Sequence, residues 1–252
     1  MRNPLCTPQA LALIILITIS GAAVAAELLQ VDGDGTREHP YEVPNTALPV
    51  IIDGVIDDDA WADALVLELK YEVDPGENVA PPVRSEVLII HDSDTLYAAF
   101  RCFDPDPSSI RAHLTMTSRE NALIWKDDHV NIHLDTLNGE ARNFAIGANA
   151  YGVQMDGVAD SGGNFDWSWD AVWDSAGQIH DWGYAVELAI PFDQLSLPQT
   201  EGPQTWGFNA LRVLPRDVVH FVQVVPFDRS NKCLQCQFVK IRGFDQTNAG
   251  RT

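Results

Sequence analysis

Basic residues are scarce in this 252-residue chain: 16 Lys and Arg stand against 36 Asp and Glu, a formal net charge of −20. A field of that sign repels phosphate backbones and anionic headgroups, so nucleic acid and membrane surfaces are poor partners, whereas neutral ligands and divalent cations remain open. Cysteine is nearly as sparse, with four in all. "NKCLQCQ" holds a C-x-x-C pair, but no second pair stands at the spacing a tetrahedral zinc site requires. Helical periodicity is almost absent, which excludes a bundle or an α/β fold. No apolar run beyond the N-terminus is long enough to span a bilayer as a helix. Internal repeats and low-complexity linkers are also missing.

Some of the remaining features concern export. Arg2 precedes the apolar "LALIILITI" and the small-residue stretch "SGAAVAAE", the layout of a signal peptide over residues 1–26, with cleavage near Ala25 or Ala26. Loss of Arg2 moves the charge to 15 − 36 = −21. The expected location is periplasmic or secreted. Cys102, Cys233 and Cys236 remain after processing, and an oxidising compartment favours a structural disulfide over metal or redox work. The C-x-x-C pair can close on itself, or one member can pair with Cys102.

Alternation with period two dominates the mature chain. "SEVLIIHD", "TLYAAFRCF", "DHVNIHLDT", "RNFAIGAN", "AVWDSAG", "WGYAVELAIP", "TWGFNALRVL" and "VVHFVQVVP" each read as a strand, separated by Gly and Pro turns such as "DPDP" and "LNGE". Many short strands with scraps of helix predict an all-β, antiparallel β-sandwich of jelly-roll or immunoglobulin-like type with one or two short helices. Residues 27–45 read as an irregular lead-in, 46–244 as one sandwich domain and 245–252 as a flexible tail. "VDGDG" at 31–35 begins like a calcium loop and lacks the later Glu. Calcium is therefore the one cofactor left open, and no other is expected.

The strand period also separates faces. Val130, Ile132 and Leu134 alternate with Asn131, His133 and Asp135, and Phe208 and Ala210 alternate with Asn209 and Leu211. One member of each pair of sets points out of the core. Arg212 falls on the Phe208 side and must reach a rim or a carboxylate. A sheet face bearing Asn131, His133 and Asn209 beside aromatic loops suits a neutral polyol.

In order, "IDGVIDDDAW", "SEVLIIHDSDTLYAAFRCFDPDP", "IWKDDHVNIHLDT", "NAYGVQMDG", "WGYAVELAIPFDQL" and "WGFNALRVLPR" resemble a family 9 carbohydrate-binding module over roughly residues 48–243. The nearest variant is the N-terminal module of bacterial proteins that continue into a predicted outer-membrane β-barrel. The resemblance implies a non-catalytic protein. It assigns "IDGVIDDDAW" a structural part: Gly54 makes a turn, an Asp caps a short helix, Trp61 plugs the sandwich, and Asp58 and Asp59 face the helix dipole. It also implies a cleft in which two tryptophans sandwich a sugar ring. Trp125 falls at the first clamp position and Asn131 at that of a sugar-bonding acid.

The second clamp position holds Lys232, and "FAIGAN" lacks the family's binding arginine. Trp167, on a loop of "NFDWSWDAVW", is the candidate replacement, while Trp169 and Trp173 share one side with Ala171 and read as core. The expected site is thus Trp125, Asn131, His133, Asn209 and Trp167, binding oligo- or polysaccharide weakly by one-sided stacking, in the service of polysaccharide catabolism. The alternative is a protein-interaction domain of a cell-envelope assembly, with an envelope protein or outer-membrane barrel as partner, that has lost the sugar site. A catalytic reading would need two carboxylates ~5 to 9.5 Å apart in a cleft.

Overall fold

A computed structural model describes residues 32–114, 126–198 and 202–244. The segments read as a signal peptide and as a C-terminal tail lie outside them. Among the described residues, fourteen strands, with only short 3-10 turns between them, build two sheets: β1 (Tyr41–Glu42), β2 (Leu65–Glu68), β3 (Tyr71–Asp74), β4 (Ser85–His91), β5 (Thr95–Phe103), β6 (His129–Asp135), β7 (Arg142–Asn149), β8 (Gln154–Asp160), β9 (Phe165–Asp166), β10 (Asp174–His180), β11 (Gly183–Pro191), β12 (Thr205–Pro215), β13 (Val219–Gln223) and β14 (Val239–Arg242). The larger sheet runs β1-β14-β12-β6-β7-β8-β9, with β13 beside the second half of β12 and β3 beside β13. The smaller runs β10-β11-β5-β4-β2. Neighbours are antiparallel except β1 on β14. The protein is an all-β sandwich.

The sheets meet along the faces that alternation assigned. Val130, Ile132 and Leu134 of β6 and Phe208 and Ala210 of β12 are fully buried against Leu96, Ala98 and Phe100 of β5 and Val186 and Leu188 of β11. Burial at ~25 cal/mol per Å² of apolar surface is the main favourable contribution to the fold. Trp173 is buried in this core, and Trp169 packs at its edge against the Phe144 ring, 4.9 Å away. Arg212 also points inward and is wholly buried.

β11 is buried on both faces, because the smaller sheet carries a plug on its outer side. Trp61 lies in a 3-10 turn (Asp59–Asp63) over Leu88, Ile90 and Ala99, with Val50 and Ile56 at its margin. Glu187, inside the apolar run of β11, anchors the motif: its carboxylate accepts from Trp61 Nε1 at 3.1 Å, Gly54 N at 2.8 Å and Asp53 N at 3.1 Å. Burial raises the pKa of Glu187, opposed by these donors. Gly54 has φ +89° and lies close to the Gln178 backbone of β10, so a side chain there would be strained and crowded. No Asp side chain caps the turn. Asp58, at the capping position, instead accepts from Ile51 N at 2.7 Å, tying back the preceding loop. Of the two acids read as facing a helix dipole, only Asp59 lies in the first turn, and that turn is too short for an α-helix.

Three boundaries differ from the pattern. "LPVII" reads as a strand but forms none, and its Leu48 and Ile51 are exposed, because the segment wraps the outside of the sheet. "AVWDSAG" begins its strand only at Asp174, since Trp173 is held by the Asp156 carboxylate at 2.7 Å instead of by a ladder. The stretch read as lead-in already contributes β1.

The C-x-x-C pair closes on itself as Cys233–Cys236, and Cys102 remains a buried thiol. Burial pushes that thiol up. Protein lacking residues 1–26 should therefore show one internal bridge by non-reducing mass analysis and one thiol that alkylates only on unfolding. Prompt labelling of Cys102 in native protein would contradict its placement.

Candidate functional site

The outer face of the larger sheet holds a polar patch beneath a roof. His133 and Asn209 are directly paired across β6 and β12, and Leu211 is paired with Gln223 across β12 and β13. The loop from β13 to β14 arches over this face. Arg229 Nη2 donates to Val73 O at 2.7 Å and to Asp74 at 3.2 Å, Phe227 N donates to Asn78 at 2.7 Å, and Leu234 N donates to Ser161 O at 3.0 Å beyond β8. The disulfide then turns the chain back into β14. The result is a cleft of about 450 Å³, large enough for a small ring compound. Phe165, Phe221, Phe227, Phe238, Leu211 and Leu234 give it apolar walls, and His133, Asn209, Gln223, Asp74 and Arg229 give it polar atoms.

His133 stands between two rings, 6.0 Å from Phe165 and 5.9 Å from Phe238. Burial lowers its pKa to about 4, so it is neutral in ordinary buffers. Its Nδ1 pairs with Asn143 Nδ2 at 2.9 Å. Asn209 Nδ2 donates to Gln223 Oε1 at 2.9 Å, while Asn209 Oδ1 is buried without a hydrogen-bond partner. A buried acceptor left unsatisfied costs about 1 to 3 kcal/mol. That cost can be relieved by a ligand hydroxyl.

The expected residues divide. His133 and Asn209 line the cleft together. Asn131 is on the same face, 3% exposed with an unpartnered Oδ1, but it does not line the cleft. Alternation places Asn131 and His133 outside the core, yet both are buried, and over His133 the roof loop supplies Leu234 and Phe238. Trp167 is not a wall either: it stacks flat on Phe165, with centroids 4.9 Å apart, and lies over Gly157, where a Cβ would meet it at 2.7 Å. It backs Phe165, which lines the cleft in its place. Trp125 lies outside the described residues. Lys232 is exposed, and Leu234 and Phe238 form the wall on that side.

Phe165 has no signal in the sequence beyond its place in the same aromatic cluster as Trp167. Gln223 was within reach of alternation in "VVHFVQVVP". Phe227, Leu234 and Phe238 carry no periodic signal, because they sit in the loop.

The acids of "WKDDHV" serve as clasps. Asp128 accepts from Arg216 at 2.8 Å and from Arg111 N at 2.9 Å, and Asp127 accepts from Asn149 at 2.8 Å and from His113 N at 2.9 Å. Among the described residues no group of three His, Cys, Asp or Glu side chains is placed to hold a metal. In the loop read as calcium-like, Asp34 accepts from Thr36 N at 2.9 Å.

A two-sheet β-sandwich with an aromatic-walled, polar-floored cleft on one outer face belongs to the class of small-ligand binding modules. Residues 52–213 match the model of the carbohydrate family 9 binding domain-like family, and the chain belongs to that family. It is a binding module, not an enzyme. No curated protein gives a significant match. Among solved structures it is similar to a family 9 carbohydrate-binding module from Caldicellulosiruptor kristjanssonii in complex with cellotriose (15% identity, 82% of this chain and 94% of that one, TM-score 0.50). The same organism's module in complex with glucose matches similarly (16%, 82% and 95%, TM-score 0.51). A Bacteroides uniformis protein provisionally described as carbohydrate-binding also matches (16%, 80% and 97%, TM-score 0.57). At these identities the likeness establishes the fold.

Proposed function

We propose that the protein binds a neutral saccharide in the cleft between Phe165 and Phe238, over His133 and Asn209. The observation that carries this reading is the unpartnered Oδ1 of Asn209 beside the neutral imidazole of His133, with aromatic rings at the walls. A pyranose offers apolar C–H faces for the rings and hydroxyls for the polar floor. Glucose and cellotriose, held by the similar modules, are the natural first probes. Among the described residues the walls are phenylalanine and include no tryptophan; stacking on them alone is weak, and the dissociation constant should be nearer millimolar than micromolar, about −4 kcal/mol.

Calorimetric or NMR titration tests this. Phe165→Ala, at a 37% exposed position, should weaken binding about tenfold while leaving the melting temperature nearly unchanged. Asn209→Ala should also weaken it. Absence of binding to either sugar at millimolar concentration would remove the saccharide reading. Trp125→Ala belongs in the same series. The N-terminal sequence and the disulfide support a periplasmic or secreted location, and a part in polysaccharide catabolism follows only if the saccharide reading holds.

Lys232 at the expected clamp position favours one second reading, a protein-interaction domain serving an envelope assembly or barrel. Failure of every saccharide probe, together with specific capture of an envelope protein lost in roof-loop variants, would support it.

A further inference from the structure

The disulfide-closed turn contains two residues, Leu234 and Gln235. Leu234 lines the cleft; Gln235 is fully buried beside it. Gln235 Nε2 lies 3.0 Å from Asp160 O and 3.4 Å from Ala159 O. Backbone carbonyls only accept, so the atom facing them is the amide nitrogen. That nitrogen also lies 2.6 Å from Asn143, whose facing atom must then be oxygen. The other end of Asn143 is its NH2 group, an assignment that Phe144 O, 3.1 Å away, makes independently. The NH2 group faces His133 Nδ1 at 2.9 Å. A donor there requires Nδ1 to be bare. The proton of the neutral ring is therefore on Nε2.

We propose that Gln235 and Asn143 are positioning residues that lock His133 in its Nε2–H tautomer, so that the cleft presents one fixed donor beside one fixed acceptor, Asn209 Oδ1. This rests on the saccharide reading of the cleft and says which hydroxyls suit it: one that accepts from His133 and a neighbouring one that donates to Asn209. Locking the tautomer removes the loss of affinity a ring would incur by having to choose between two protonation patterns. The depressed pKa of His133 means that the donor stays uncharged as pH falls toward about 4. Among the described residues, the ionisable groups that line the cleft besides His133 are Asp74 and Arg229, which pair with each other.

The test is long-range proton–nitrogen NMR of the full chain labelled with nitrogen-15. In free protein near neutrality, His133 should show a bare Nδ1 and a protonated Nε2, with a coupling across the hydrogen bond from Asn143 Nδ2 to His133 Nδ1. The pattern should persist to about pH 5. Asn143→Asp keeps an acceptor for Gln235 but offers His133 only an acceptor, so the proton should move to Nδ1 and affinity for glucose or cellotriose should fall about tenfold. A wild-type proton on Nδ1, absence of the coupling, or an unchanged tautomer in folded Asn143→Asp would each overturn the proposal. Should that variant fail to fold, the wild-type spectrum alone decides. The spectra need no ligand, so a protein with the predicted tautomer that binds neither sugar would defeat the saccharide reading and leave the relay standing.

Discussion

Trp61→Ala should lower the free energy of unfolding by roughly 3 to 5 kcal/mol, the cost of emptying a buried aromatic site. Trp61 is 4% exposed and seals the outer face of the smaller sheet. Its removal opens a void over Leu88, Ile90 and Ala99 and deprives the buried Glu187 of its indole donor. Two costs therefore act together. Glu187→Gln should be destabilising alone, because a neutral amide accepts less strongly from Gly54 N and Asp53 N and brings a donor group into a site built of donors. Combining both changes should cost less than their sum, since each removes the same contact. Urea denaturation measures all three. A shift under about 1 kcal/mol for Trp61→Ala, or full additivity, would show that the motif is not a plug held by Glu187. Saccharide affinity should not change selectively, because plug and cleft lie on opposite outer faces.

The second large effect is expected at Arg212. Its guanidinium, fully buried between the sheets, donates through Nη1 to Phe103 O and Ser85 Oγ, each at 2.9 Å. Nη2 lies 3.6 Å from Asp104 and 4.0 Å from Asp128, and the group stacks over Tyr184 at 5.1 Å. Arg216 closes the cluster from the rim, 2.6 Å from Asp104 and 2.8 Å from Asp128. Two cations thus face two acids. Arg212→Met keeps most of the volume but strands a carboxylate and a buried carbonyl, and breaking a buried pair from one side costs about 3 to 5 kcal/mol. Arg216→Met, at a partly exposed position, should cost less and respond more to salt. If Arg212→Met were neutral, the cluster would be energetically replaceable by packing, as some buried ion pairs are.

Much of this fold is legible from the chain, because the alternating period states which side chains face the core. β5 and β7 begin and end where "TLYAAFRCF" and "RNFAIGAN" do, and Phe208, Ala210 and the inward Arg212 are as alternation requires. β2 and β3, four residues each, are too short to leave a clear period. Glu187 was invisible as an anchor. Nothing in "GYAVELAIP" says that its one acid will meet the "IDG" backbone from a segment more than 130 positions away.

The sequence by itself determined the sandwich, the plug, the family and the two polar residues His133 and Asn209 of one sheet face. Those follow from local periodicity and from short motifs whose residues act on neighbours in the chain. Only the tertiary structure decided that this face is a cleft instead of an open surface. It brought Phe165 in front of Trp167, left Asn131 beneath the surface, closed Cys233 on Cys236 and placed Gln235 over Asn143. The physical reason is that the roof comes from an irregular loop. Its course is set by hydrogen bonds to β3, to the turn after β8 and to Asn143, all of them distant in sequence, and no period in the loop records where those partners will be.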